Sequence, residues 1–225
     1  MEKIYCFSQD QLKVLMVGCG YARVAGLNIS TETLDNTTVL NVLKELTNAE
    51  LISPEGDSFV AVDSVKEIID CLGRSEGYMV LHSNSVNLPD KCLFISDKVL
   101  VCTTRVTSLG YISLGFVDFS DIYEGLRDEG YFSGSESSMN VDEQELAEYD
   151  KELLSDVDPN APLEASSSVI LSLEEVTADG ETLRFFRIID YYFYTYIAYS
   201  DGSEVVREVY SPDNAKMYFE KMMNI

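Results

Sequence analysis

An α+β fold, with one extended antiparallel sheet and helices covering much of it, is predicted by three features of the sequence. Apolar residues of the opening third recur at helical spacing, and from Tyr78 the period drops to two. A series of strands followed by a helix occurs twice, over 78–127 and 169–225, on either side of an acid-rich segment. The third feature is 183–210, LRFFRIIDYYFYTYIAYSDGSEVVREVY, which is dense in aromatic and β-branched residues, punctuated by Asp201-Gly202 and free of proline. That composition suits strands joined by a tight turn. The repeated order of elements predicts a quasi-twofold layout, although the halves share little identity.

In chain order, 3–7 (KIYCF) reads as a short strand, and Ser8 with Gln11 as a capping box opening a helix. Leu12, Leu15, Met16 and Cys19 share one face of that helix. A second helix is expected over about 37–49, burying Val39, Leu40, Leu43 and Leu46. The run LISPEGDSFVAV then reads as a small turn between two short extended pieces, a wing-like hairpin. Ser64 with Glu67 suggests another capping box, for a helix whose Val65, Ile68, Ile69 and Leu72 share a face. These elements make 1–77 a helical third.

Strands follow at 78–83, 91–96, 99–105 and 111–119, with a turn at 108–110 and a short helix at 120–127; such spacing implies an antiparallel meander. Between 133 and 164 stand ten acids and one base, Lys151. Its Gly-Ser-rich start and Pro-Ser-rich end make 133–165 read as an acidic flexible linker, with 141–155 a helix of sparse apolar edge. The second strand-rich unit, 169–225, takes strands at 169–176, 183–190, 191–200 and 204–210. It closes on a helix capped by Ser211 with Pro212 at its first position.

Composition bounds the function. A formal net charge of −23 on 225 residues repels phosphates and anionic lipid, so neither nucleic acid nor membrane is an expected partner. Cys6, Cys19, Cys71, Cys92 and Cys102 are an odd set, each within an apolar pattern, and read as small buried hydrophobes of a reducing compartment. No cationic and apolar leader pattern opens the sequence and no apolar run is long enough to span a bilayer, from which a cytoplasmic location is expected.

Catalytic signatures are weak. His82 is the single histidine, expected in a partly buried, hydrogen-bonded strand position, and neither Ser83 nor Ser85 stands in a nucleophile-elbow pattern. No C-x-x-C pair, calcium loop or phosphate loop is present, so neither metal nor cofactor is expected. The helix and hairpin over 43–62 have the order of a winged-helix module, but Lys44 stands beside Glu45 and Glu50, and the turn carries Glu55 and Asp57. A DNA reader needs Lys and Arg there.

The opening FSQDQLKVL, then LKELTNAELISPEGD, the helix DSVKEIIDCLGRSEGY and the closing YSDGSEVVREVYSPDNAKMYF together resemble the EspG-type chaperones of type VII (ESX) secretion. The resemblance lies in the order of elements and the apolar pattern, and spans most of the chain outside the acidic segment. It implies that 1–225 forms a single domain, a central antiparallel sheet flanked by helical bundles. It also implies a non-enzymatic chaperone or adaptor holding a helical client of the WXG100, LXG or PE-PPE type soluble for export. An acidic regulator with a winged-helix-like module and an uncharacterised hydrolase are the alternatives.

A chaperone of this kind needs an apolar patch with a polar border. The candidate residues are Tyr218, Phe219, Met222 and Met223 of the last helix and Tyr192, Tyr194 and Tyr196 on one face of the aromatic strand. Methionine adapts to irregular surfaces and tyrosine anchors interfaces at little entropic cost. The competing reading has this helix cover the sheet of its own chain.

Overall fold

Period-two segments pair into one antiparallel sheet and the helical segments fold as helices, in a computed structural model that describes residues 3–22, 26–27, 29, 33–56, 58–103, 110–132, 167–191 and 194–224. The described residues form an α+β protein with five helices and a nine-stranded antiparallel sheet. The order of elements is β1 (Tyr5–Ser8), α1 (Gln9–Gly18), α2 (Asn36–Asn48), β2 (Ile52–Glu55), β3 (Ser58–Ala61), α3 (Asp63–Arg74), β4 (Gly77–Ser83), β5 (Lys91–Ile95), β6 (Val99–Thr103) and β7 (Tyr111–Val117). After them come α4 (Ile122–Glu129), β8 (Ser167–Thr177), β9 (Thr182–Tyr191), β10 (Tyr194–Ser200), β11 (Val205–Val209) and α5 (Pro212–Met223). Hydrogen-bonded neighbours run β1-β7-β6-β5-β4-β8-β9-β10-β11, and β2 with β3 forms a separate two-stranded ribbon. The expected acidic segment at 133–165, its helix at 141–155 and most of the turn at 108–110 lie outside the described residues.

The chain divides into two compact units. The first comprises 1–79, 90–118 and 177–180. Its helices α1, α2 and α3 bury Leu12, Leu15, Leu46, Val65, Ile69 and Leu72 in one core with Phe7, Phe94, Leu100 and Leu114 of the sheet. The Ser8 box forms as expected: Gln11 N–H donates to Ser8 Oγ at 3.1 Å and Ser8 N–H to Gln11 Oε1 at 3.0 Å.

Two expectations in this unit are corrected. Leu40 is 67% exposed, because α2 turns Val42 and Leu46 inward and Leu40 lies off that stripe at 100° per residue. Ser64 does not cap α3, whose N-cap is Val62 with no side-chain bond. The helix starts two residues earlier than a Ser64 cap would set it, and the Ser64 hydroxyl is instead 2.6 Å from the Tyr5 hydroxyl, tying α3 to β1.

The second unit comprises 80–89, 119–176 and 181–225. Helix α5 lies on β9 and β10. Its N-terminus is capped by Ser211 Oγ, which accepts from Asn214 N–H at 3.0 Å, with Pro212 in the first turn. At its other end Arg184 of β9 donates to the Met222 carbonyl at 3.2 Å and to Asn224 Oδ1 at 3.1 Å. A cation there meets the negative end of the helix dipole and satisfies a carbonyl that has no intrahelical donor. Under α5, the rings of Tyr123, Phe132, Phe186 and Phe219 form a contiguous aromatic cluster, Tyr123 and Phe132 closest with centroids 4.6 Å apart.

The expected tight turn at Asp201-Gly202 is a four-residue loop, since Ser200 pairs with Val205. Asp201 Oδ1 accepts from the Ser203 N–H at 3.0 Å and from its hydroxyl at 2.7 Å, closing an Asx turn that a two-residue hairpin has no room for.

Candidate functional site

The predicted surface on the last helix and the aromatic strand does not assemble. Tyr218, Phe219, Met222 and Met223 are at most 3% exposed, so the inner stripe of α5 is already spent on its own sheet. Tyr199 of β10 packs on Tyr218, ring centroids 5.0 Å apart, which sets the odd-numbered residues of β10 towards α5. Strand alternation then puts Tyr196 on the opposite face, where it is 4% exposed and packs with Phe185, Ile189 and Ala198. Tyr196 and the four α5 residues are therefore on two sides of the sheet. Tyr192 and the side chain of Tyr194 lie outside the described residues.

Exposed apolar surface is found instead in the first unit, at a groove walled by α1, α2, the β2–β3 ribbon and the start of α3. Its volume is about 480 Å³, in the range of ligand-binding clefts. Helix α1 contributes Val14, Leu15 and Gly18, its C-cap Cys19 follows them, and α2 contributes Leu43 and Leu46. The ribbon adds Ile52 and Ser58 to Ala61, with Lys66 of α3 as the one charged residue of the lining among the described residues.

Local chemistry explains why this side stays open. A two-stranded ribbon is marginal by itself. Here it is anchored by Ile52, 5% exposed in the core, and by the Val62 N–H bond to the Leu51 carbonyl at 3.0 Å. Among the described residues none covers the outer side of strand β3, and Phe59 and Val60 remain 45% and 37% exposed. Val17 of α1 is 68% exposed. Burial in the groove wall, followed by the nearby Asp70 charge and opposed by Lys66, raises the Cys19 thiol above its ordinary range. Among the described residues Lys66 has no ion-pair or hydrogen-bond partner, and its ammonium is exposed.

The sequence presents this ribbon as a wing-like hairpin whose Glu55 and Asp57 argue against DNA, and the groove beside it was not anticipated. The available signal was Phe59-Val60, two adjacent apolar residues in a four-residue strand, where a solvated ribbon would alternate with polar residues.

The residues considered for catalysis are dispersed. His82 is exposed, not partly buried as expected, because β4 turns Leu81 and Ser83 inward and alternation carries His82 outward. Ser83 Oγ donates to the Ile170 carbonyl at 3.4 Å and accepts from Ser85 N–H at 3.2 Å, a strand-end role. Among the cysteines, Cys6 is exposed, contrary to the expectation of burial, as it sits on the outer side of edge strand β1. Cys92 and Cys102 are buried and directly opposite one another across β5 and β6, and burial pushes the Cys92 thiol to about 12 and the Cys102 thiol higher still. Among the described residues no group of three His, Cys, Asp or Glu side chains is placed to hold a metal ion. No helix there is long and apolar enough to cross a membrane.

No family model matches the sequence, and no curated protein matches it.

Proposed function

We propose that this protein is a non-enzymatic binding protein, a cytoplasmic chaperone or adaptor of the EspG type that holds the apolar face of a helical secretion substrate. The observation that carries the reading is the apolar groove of the first unit with Phe59 and Val60 exposed at its ribbon wall. Helical clients dock by laying an apolar stripe into such a groove. The nine-stranded antiparallel sheet and its helices agree with the fold class the resemblance implies. The partner is a helical protein of the WXG100, LXG or PE-PPE type, met through the groove in place of the α5 surface. The β2–β3 ribbon after α2 also has the order of a winged helix, but Glu45, Glu50 and Glu55 oppose phosphate, and a duplex DNA shift would revive that reading.

Titration calorimetry with a purified WXG100-type helical pair tests the proposal. Phe59→Ser combined with Val60→Ser is expected to weaken binding at least about tenfold, equivalent to ~1.4 kcal/mol. The free protein should melt nearly unchanged, because both side chains are already partly in water. Failure to bind clients of all three types, or full affinity in the double variant, would reject it.

A further inference from the structure

We infer that the segment seated in this groove is an amphipathic helix with an acidic side chain bordering its apolar stripe, and that Lys66 selects it; this rests on the groove being the docking site. The chain carries 39 acids and 16 bases, yet among the described residues the one charged residue lining the groove is a lysine. Among the described residues its ammonium has no carboxylate of its own, so the groove offers an apolar slot with an uncommitted cation at its border. An apolar stripe ending in Glu or Asp complements both. A stripe ending in Lys would set two ammonium groups together.

Two physical points narrow the occupant. Helices α1 and α2, whose backbone groups are bonded within each helix, form two walls of the groove, so an occupant laid along them must satisfy its own backbone hydrogen bonds. A helix does this and an extended peptide does not. The overall charge of −23 disfavours an acidic partner at long range, but charges beyond roughly 8 Å are screened at physiological salt. Lys66 therefore decides at contact, and the fitting helix is acidic at one bordering position without being acidic throughout.

The test uses the full chain and three stapled helical peptides that share one Leu-Ala stripe and differ at one bordering position, which is Glu, Gln or Lys. Fluorescence anisotropy should show the Glu peptide binding about threefold tighter than the Gln peptide, the scale of an exposed ion pair. The gap should close in Lys66→Gln, and the order of Glu and Lys peptides should invert in Lys66→Glu. Phe59→Ser should weaken all three. Equal binding of the three, or an order that Lys66→Glu leaves untouched while Phe59→Ser still weakens all, overturns selection by Lys66 and leaves the groove as the docking site. No binding by any peptide, or binding indifferent to Phe59→Ser, overturns both. A groove that takes a fatty acid and no peptide, or a chain that sediments as a dimer until Phe59→Ser is introduced, assigns another occupant and equally overturns the inference.

Discussion

At the residue scale, small contacts set where elements sit. A Cβ on Gly73 would lie 2.3 Å from the Tyr21 ring, so α3 needs glycine there for the ring to pack. With the ring in place, the Tyr21 hydroxyl donates to Asp70 Oδ1 at 2.9 Å and accepts from Arg74 Nε at 3.1 Å. Tyr123 and Tyr218 are under a different constraint. Burial, chiefly, raises both phenols from 10.0 to about 12, helped for Tyr218 by its hydrogen bond to Glu208. Both are neutral at pH 7 in either state, so their contribution is fully present there. Above pH 10 the unfolded chain loses these protons first and stability falls, the loss being complete as pH passes about 12. Urea midpoints measured from pH 7 upward should therefore drop across that window, and Tyr218→Phe should shallow the drop. A flat profile would mean that the phenols are solvated.

At the element scale, α5 is held by both ends and by its stripe. Removing the Ser211 cap with alanine should cost about 1 kcal/mol. Met222 and Met223, 0% and 1% exposed, should cost more than ~2 kcal/mol when both are replaced by serine, from lost burial and the cavity left behind. Denaturant titration of the two variants would rank them, and an unchanged midpoint for the methionine pair would show that α5 is not part of the core. Strand β10 explains why the sequence could propose a surface that does not form. Aromatic residues on both faces mark a strand covered on both sides, as Tyr196 and Ile197 at 4% and 0% are. Which face meets α5 depends on the register with β9, where Tyr199 pairs with Phe186. That is a long-range choice with no local signal.

At the scale of the whole molecule, the charge of −23 acts on stability as well as on partners. Like charges crowded by folding repel one another, and salt screens that repulsion. The melting temperature should rise between low salt and about 0.15 M sodium chloride, where the screening length has shortened to roughly 8 Å. A melting temperature that does not move would mean that the ion pairs, such as Lys216 with Glu124 at 3.1 Å and Arg187 with Glu174 at 2.8 Å, offset the excess acid.

Hydrophobic period, capping residues and turn chemistry are local, and they made the elements legible. The Ser8 box, the Ser211 cap with Pro212, the change to period two at Tyr78 and the α+β class all follow from neighbours within a few residues. Faces and vacancies are not local. Whether Leu40 or Val42 points inward, which side of β10 receives α5, and that Phe59 and Lys66 border one groove depend on elements distant in sequence. Periodicity marks a residue as fit for burial; what it is buried against, or left open to, is settled when the elements pack.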